Sequence, residues 1–452
     1  MQLMKSLKCA AMAATVSVTL ATQAWSQSPL APTPPMGWNS WDSFGTTVTE
    51  DEVKANADYM AKNLVKHGWQ YIVVDIQWSE LNPKTHGYRP NAELAMDANG
   101  RLIPAPNRFP SSAGGKGFKP LVDYIHSKGL KMGIHIMRGI PRRAVDSNLP
   151  IAGISAKAAD IANKQSICPW NSDMYGVDLT KDGGQGYYDS IAQLYASWGL
   201  DFIKADDMFG QGPMGDHSTE IEALSKALKK TGRPIVLSLS PGTSNVDKAA
   251  FIGSQAQMWR ISNDLWDRWI DVKRQFPNVA KWNPYMKPGN WPDADMLPLG
   301  HIGIRAERGE PRMSLLKHEE QQTLMTLWSI GRSPLMFGGH LPDNDEFTTN
   351  MISNDEVLAV NQKSSGNKQL FAKGDQVAWM ADVPGTKAKY LAVFNTGDTA
   401  TGEIAIKWTD LGLGGNCTVR DLWAKKDQGS VKDGQTFKVQ PHSAAMFKVT
   451  PK

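Results

Sequence analysis

A chain of 452 residues with 49 basic and 45 acidic side chains, a formal charge of +4 and three cysteines has room for one large domain and a smaller one. No Lys/Arg block is dense enough for a nucleic-acid footprint, and a neutral ligand suits this balance better than a polyanion. No segment beyond the first residues is long and apolar enough to span a bilayer.

Residues 1–26 read as an export signal: Lys5 and Lys8, an apolar small-residue core from Ala10 to Leu20, and Ala24-Trp25-Ser26 as a cleavage site. Cys9 precedes the apolar core, on the wrong side for lipidation at that site. Cleavage would lower the charge to +2, and a periplasmic or secreted protein with no membrane attachment is expected. It leaves Cys168 and Cys417, neither beside a His and each in a different domain, so no disulfide framework is expected.

Residues 27–35 are a proline-rich lead-in. A first strand is expected around Pro35–Trp41, then a helix opening on the acidic turn Thr49-Glu50-Asp51-Glu52 and running to about Lys66. Tyr71–Asp75 is a continuous β-branched run, the mark of a strand buried on both faces. Further strands are read at Lys131–Ile136, Gly199–Lys204, Ile235–Ser240, Gln257–Ser262, within Met286–Met296, and at Ser333–Phe337. Helices precede several of them, over Phe118–Lys128, Gly186–Trp198 and His318–Ile330. Eight buried strands with crossover helices predict a (β/α)8 barrel over residues 27–363. A doubly wound sheet fits less well, because no Gly-x-Gly-x-x-Gly follows the first strand and reactive residues cap many strands. From 364 to 452 the runs are short, strand-like and separated by Gly/Asp/Asn turns, which predicts a C-terminal antiparallel β-sandwich.

Chemistry collects at the strand ends. Lys204 and Asp206 fall on one face of their strand, so the ammonium is expected to keep the carboxylate ionised, while Asp207 points elsewhere. Asp264 lies four residues beyond Arg260, and a second carboxylate on an opposing strand is what glycoside cleavage needs. Asp267 reads as an exposed residue of the following helix. Trp38, Trp41, Trp78 and Trp291 sit at or just past strand ends, where an indole face can stack on a pyranose, and at least one of them is expected to do so. No metal-ligand cluster or phosphate loop is visible, so neither metal nor cofactor is expected.

Pro34-Pro35-Met36-Gly37-Trp38-Asn39-Ser40-Trp41, Val74-Asp75, Lys204-x-Asp206, Trp259-Arg260-x-x-x-Asp264, Trp291-x-Asp293-x-Asp295-Met296 and Ser333-Pro334-Leu335 together resemble glycoside hydrolase family 27. This is the family of α-galactosidases and α-N-acetylgalactosaminidases. The resemblance runs in order from about Pro34 to Gln362 and continues more weakly through the β domain. It implies a barrel with a C-terminal β-sandwich, no metal, and retention of anomeric configuration through a covalent glycosyl-enzyme. It also implies Asp206 as nucleophile, Asp264 as acid/base, and Trp41, Asp75, Lys204, Arg260 and Asp295 as sugar contacts. The substrate would be an oligosaccharide or a polysaccharide side chain.

Three strand ends depart from the pattern. Ile76 stands where α-galactosidases usually carry a second aspartate for the 4- and 6-hydroxyls; similar enzymes with Ile here act as β-L-arabinopyranosidases, whose sugar lacks C6. Ser240 stands where animal-type enzymes have a Glu for the 2-hydroxyl, leaving more room, as in the acetamido-accepting branch. His135 replaces a common Tyr and is taken with Ile76 and Ser240 as a substrate contact; Arg138 follows it. The expected activity is therefore exo-hydrolysis of terminal α-D-galactosyl or β-L-arabinopyranosyl residues. Alternatives are an α-N-acetylgalactosaminide or isomaltosyl target, or a non-catalytic sugar-binding protein, which intact Asp206 and Asp264 argue against.

Overall fold

The computed structural model describes residues 29–208, 216–240 and 242–452; the export-signal expectation for 1–26 lies outside them. Eight parallel strands form one sheet: β1 (Met36–Asn39), β2 (Tyr71–Val74), β3 (Lys131–Met137), β4 (Phe202–Asp206), β5 (Val236–Leu239), β6 (Met258–Arg260), β7 (Trp291–Asp293) and β8 (Leu335–Phe337). Their order is β7-β6-β5-β4-β3-β2-β1-β8. The ring closes beyond β7: Leu297 bridges to Phe337 in parallel sense, its amide donating to Met336 O at 2.8 Å. The fold is thus a (β/α)8 barrel.

Alternation along the strands fills the barrel. Tyr71, Val73, Phe202, Val236, Met258 and Met336 form one interior cluster with Met296. Tyr71 and Phe202 fit because Gly37 and Gly133 face them: a Cβ on either glycine would lie 2.6 or 2.8 Å from the partner's Cβ. The outward faces of the strands pack on the helices. The first of these, α1 (Glu50–Asn63), begins with a capping box between Thr49 and Glu52.

After the helix Asp355–Lys363 the chain forms strands and turns, with one 3₁₀ turn at Trp408–Leu411. Strands Ser365–Lys373, Gln376–Asp382, Lys389–Asn395, Ala444–Pro451, Asn416–Asp421 and Lys426–Lys432 make a six-stranded sheet in that spatial order, and Gly402–Lys407 pairs with Gly434–Val439 in a second. Period two divides the first sheet's burial. Ala378, Met380, Leu391 and Val393 face the second sheet, while Trp379, Ala381, Tyr390, Ala392 and Phe394 join the barrel's core.

Candidate active site

The residues after Val74, Ala205, Leu239, Met258 and Asp293 converge at the C-terminal end of the barrel. Asp75, Ile76, Lys204, Asp206, Ser240, Arg260, Asp264 and Asp295 line one cavity of about 490 Å³ with Trp41. His135, the remaining expected contact, is 1 % exposed and lies off the wall of that cavity, with its Nε2 2.8 Å from Asp206 Oδ2. It holds that carboxylate from behind. Just past three strand ends the backbone turns left-handed at non-glycine residues: Gln77 (φ 63), Asp207 (φ 58) and Asp295 (φ 92). Such conformations are held at a cost, and they concentrate where a fold aims side chains at a site.

Two charge clusters form the floor. Asp75 Oδ2 accepts from Lys204 Nζ at 2.9 Å and from Asn39 Nδ2 at 2.7 Å, and its Oδ1 accepts from the Ile76 amide at 2.8 Å. Burial opposes its charge, but Lys204 and His135 outweigh burial and hold Asp75 well below the usual carboxylate range. Lys204, expected to keep Asp206 ionised, bonds Asp75 and acts on Asp206 through space. Asp206 is instead held by His135 and by the Asp207 amide, 2.7 Å from Oδ1. In the second cluster, Arg260 Nη2 lies 2.8 Å from Asp295 Oδ2 and 3.2 Å from Asp264 Oδ1. Burial pushes Asp295 up to about 7 against the pull of Arg260.

The two candidate catalytic carboxylates differ in setting. The Asp206 side chain is 10 % exposed and pinned at both oxygens, whereas that of Asp264 is 50 % exposed at the mouth. A fixed, buried carboxylate suits attack on a carbon, and one with access to water suits proton exchange.

Several expectations are corrected by packing. Of the four tryptophans only Trp41 lines the cavity. Trp38, Trp78 and Trp291 are buried, their indole N–H groups donating to Gly339, His135 and Ala31 carbonyls at 2.7–2.8 Å. Asp267 is buried against Arg312 at 2.7 Å, not exposed. Asp207 and Glu220 hold Arg138 away from the cavity, at 2.7 and 2.6 Å. Conversely, Tyr88, Trp170 and Trp266 line the outer wall, Tyr88 stacked on Trp41 with centroids 5.8 Å apart. They come from loops, where no strand-end pattern marks them. Asp42, also on the wall, follows Trp41 directly, so adjacency to the motif was its signal.

A barrel whose mouth gathers two carboxylates, an aromatic wall and ion-paired floor residues is a glycoside hydrolase framework. The family model described as alpha galactosidase A matches residues 33–180 and 179–363, and that of the alpha galactosidase C-terminal beta sandwich domain matches 373–449. The chain belongs to glycoside hydrolase family 27, the α-galactosidase family. It is 30 % identical to the α-galactosidase of Coffea arabica over 424 residues, 93 % of this chain and 94 % of that protein. The solved structure of a family 27 β-L-arabinopyranosidase from Geobacillus stearothermophilus, in complex with arabinose, is 52 % identical. It superposes with a TM-score of 0.92 over 94 % of this chain and 98 % of that one.

Proposed function

We propose that this glycosidase removes terminal β-L-arabinopyranosyl residues, and α-D-galactosyl residues more slowly, with retention of configuration. Asp206 attacks the anomeric carbon as the bond to the leaving oxygen breaks, and Asp264 gives that oxygen its proton. Asp264 then takes a proton from water as the water displaces Asp206. The observation that carries the sugar preference is Ile76, which lines the cavity beside Asp75 at 4 % exposure and offers no hydrogen-bond acceptor. A galactoside must leave its 6-hydroxyl unpaired there, at a cost of about 1–3 kcal/mol, whereas an arabinopyranoside has no such group. Similarity to the Geobacillus enzyme supports the same choice. Export through residues 1–26 belongs to this proposal, and N-terminal sequencing of the mature protein checks it.

Turnover of a panel of nitrophenyl glycosides with proton NMR of the first-formed sugar tests the chemistry. Asp206→Ala should abolish hydrolysis of every substrate. Asp264→Ala should keep a fast first step on good leaving groups and regain turnover with azide. A product of inverted configuration contradicts the assignment.

A further inference from the structure

The strand ladder decides which side chain can serve Asp206. β3 lies between β2 and β4, with His135 in register with Lys204 and Met137 with Asp206. Lys204 turns its ammonium to Asp75 after β2, at 2.9 Å, and Arg260 is taken by Asp295 at 2.8 Å. That leaves His135, whose Nε2 stands 2.8 Å from Asp206 Oδ2. Among the described residues no other side chain donates to Asp206. An ionised carboxylate only accepts, so Nε2 carries the hydrogen.

The imidazole makes no other hydrogen bond. Nδ1 is buried without a partner among the described residues, and the residue does not line the cavity. The bond from Trp78 Nε1, at 2.7 Å, goes to the His135 carbonyl and does not need the ring. An unpaired buried nitrogen costs stability, so a histidine kept only for packing would be poorly chosen here. Its one polar contact through the ring is to Asp206.

Asp206 loses and regains its charge in each turnover of a retaining enzyme. It attacks as a carboxylate and becomes a neutral ester on the anomeric carbon. When the oxygen of water bonds that carbon, the electron pair of the ester bond returns to Asp206 and the proton of the water goes to Asp264. A hydrogen bond to a carboxylate is roughly twice as strong as one to a neutral carbonyl. The bond from His135 therefore strengthens as the ester breaks and weakens as it forms, which favours release of the sugar. We propose that His135 is a positioning residue for the second half of the reaction, its Nε2–H stabilising Asp206 as it leaves the glycosyl-enzyme. This deepens the glycosidase reading above and rests on it.

Steady-state kinetics and intact-protein mass on the full chain, with dinitrophenyl β-L-arabinopyranoside and α-D-galactopyranoside, test this. Dinitrophenolate leaves without help from an acid, which exposes the second step. His135→Leu, close in size but without a donor, should lower kcat by about tenfold. Its kcat/KM, which reports only the first step, should change less, so KM falls with kcat. The protein in turnover should then carry the mass of one glycosyl group. His135→Gln, whose amide nitrogen reaches the place of Nε2, should recover most of kcat and return to the parent's level of adduct. Unchanged kcat in the Leu variant, kcat and kcat/KM falling together with no adduct, or Gln as slow as Leu each overturns the inference. If the Leu variant does not fold, His135→Asn, whose amide stops short of Asp206, takes its place. Asp206→Ala separates the two levels. If it still hydrolyses these glycosides, the nucleophile reading falls; if it is inactive while His135→Leu keeps the parent's kcat, only the role of His135 falls.

Discussion

Asp75 and Ile76 are neighbours in sequence with opposite electrostatic fates. Asp75 is tied down by Lys204, Asn39 and a backbone amide and stays charged, while Ile76 brings only carbon to the same wall. Glu80, on the loop after β2, shows the reverse of Asp75. It is buried with neither carboxyl oxygen hydrogen-bonded, and Arg89 approaches only to 3.5 Å. Burial, with Asp173 nearby, pushes Glu80 from 4.5 up to about 7. The folded state then holds this proton more tightly than the unfolded chain. Its contribution to stability is full below about 4.5 and lost as pH rises through about 7. Glu80→Gln should therefore stabilise the protein above neutrality by about 1–3 kcal/mol, after discount for solvent screening, and change little in acid. Urea unfolding at both pH values checks this; no gain above neutrality contradicts it.

At the scale of elements, the β domain is held to the barrel by its own alternation. Phe394 packs on Phe276 with centroids 5.1 Å apart, and His442 stacks on Trp269 at 4.2 Å while pairing with Glu320 at 2.6 Å. These contacts lie on the flank of the barrel and none of these residues lines the cavity. Phe394→Ala should destabilise the protein by about 3–5 kcal/mol without changing the ratio of kcat/KM between two sugars. Denaturant melts and paired kinetics check both halves, and a shift in the ratio would contradict the purely structural role. The elements also show what sequence can and cannot reveal. Runs such as Tyr71–Val74 were legible because parallel strands buried on both faces are apolar throughout. Strand ends were less so. The strand read at Gly199–Lys204 lies at Phe202–Asp206, because Gly199, at φ 85, caps the preceding helix Gly184–Trp198. The run Met286–Met296 joins the barrel sheet only over Trp291–Asp293, since Asn283–Tyr285 is a 3₁₀ turn before it and Asp295 turns left-handed after it. Trp38 was one of four candidate sugar platforms, but the Gly37 beside it is the inward position, which sends the indole outward to the helices. Tyr88 and Trp170 depend on how long loops fold back, which no local pattern encodes.

Over the whole molecule, the barrel supplies a rigid ring of strand ends, the loops an aromatic outer wall, and the β domain a brace. In the function proposed above, the chemistry rests on Asp206 and Asp264 in this frame, and the preferred sugar on the edge where Ile76 stands. The most direct measurement is kcat/KM for nitrophenyl β-L-arabinopyranoside and α-D-galactopyranoside, on the parent and on Ile76→Asp. An unpaired 6-hydroxyl predicts that the parent prefers the arabinopyranoside by roughly 5- to 150-fold, and that Ile76→Asp moves the ratio toward the galactoside. A parent at least as active on the galactoside, with a ratio unchanged by Ile76→Asp, would contradict the account.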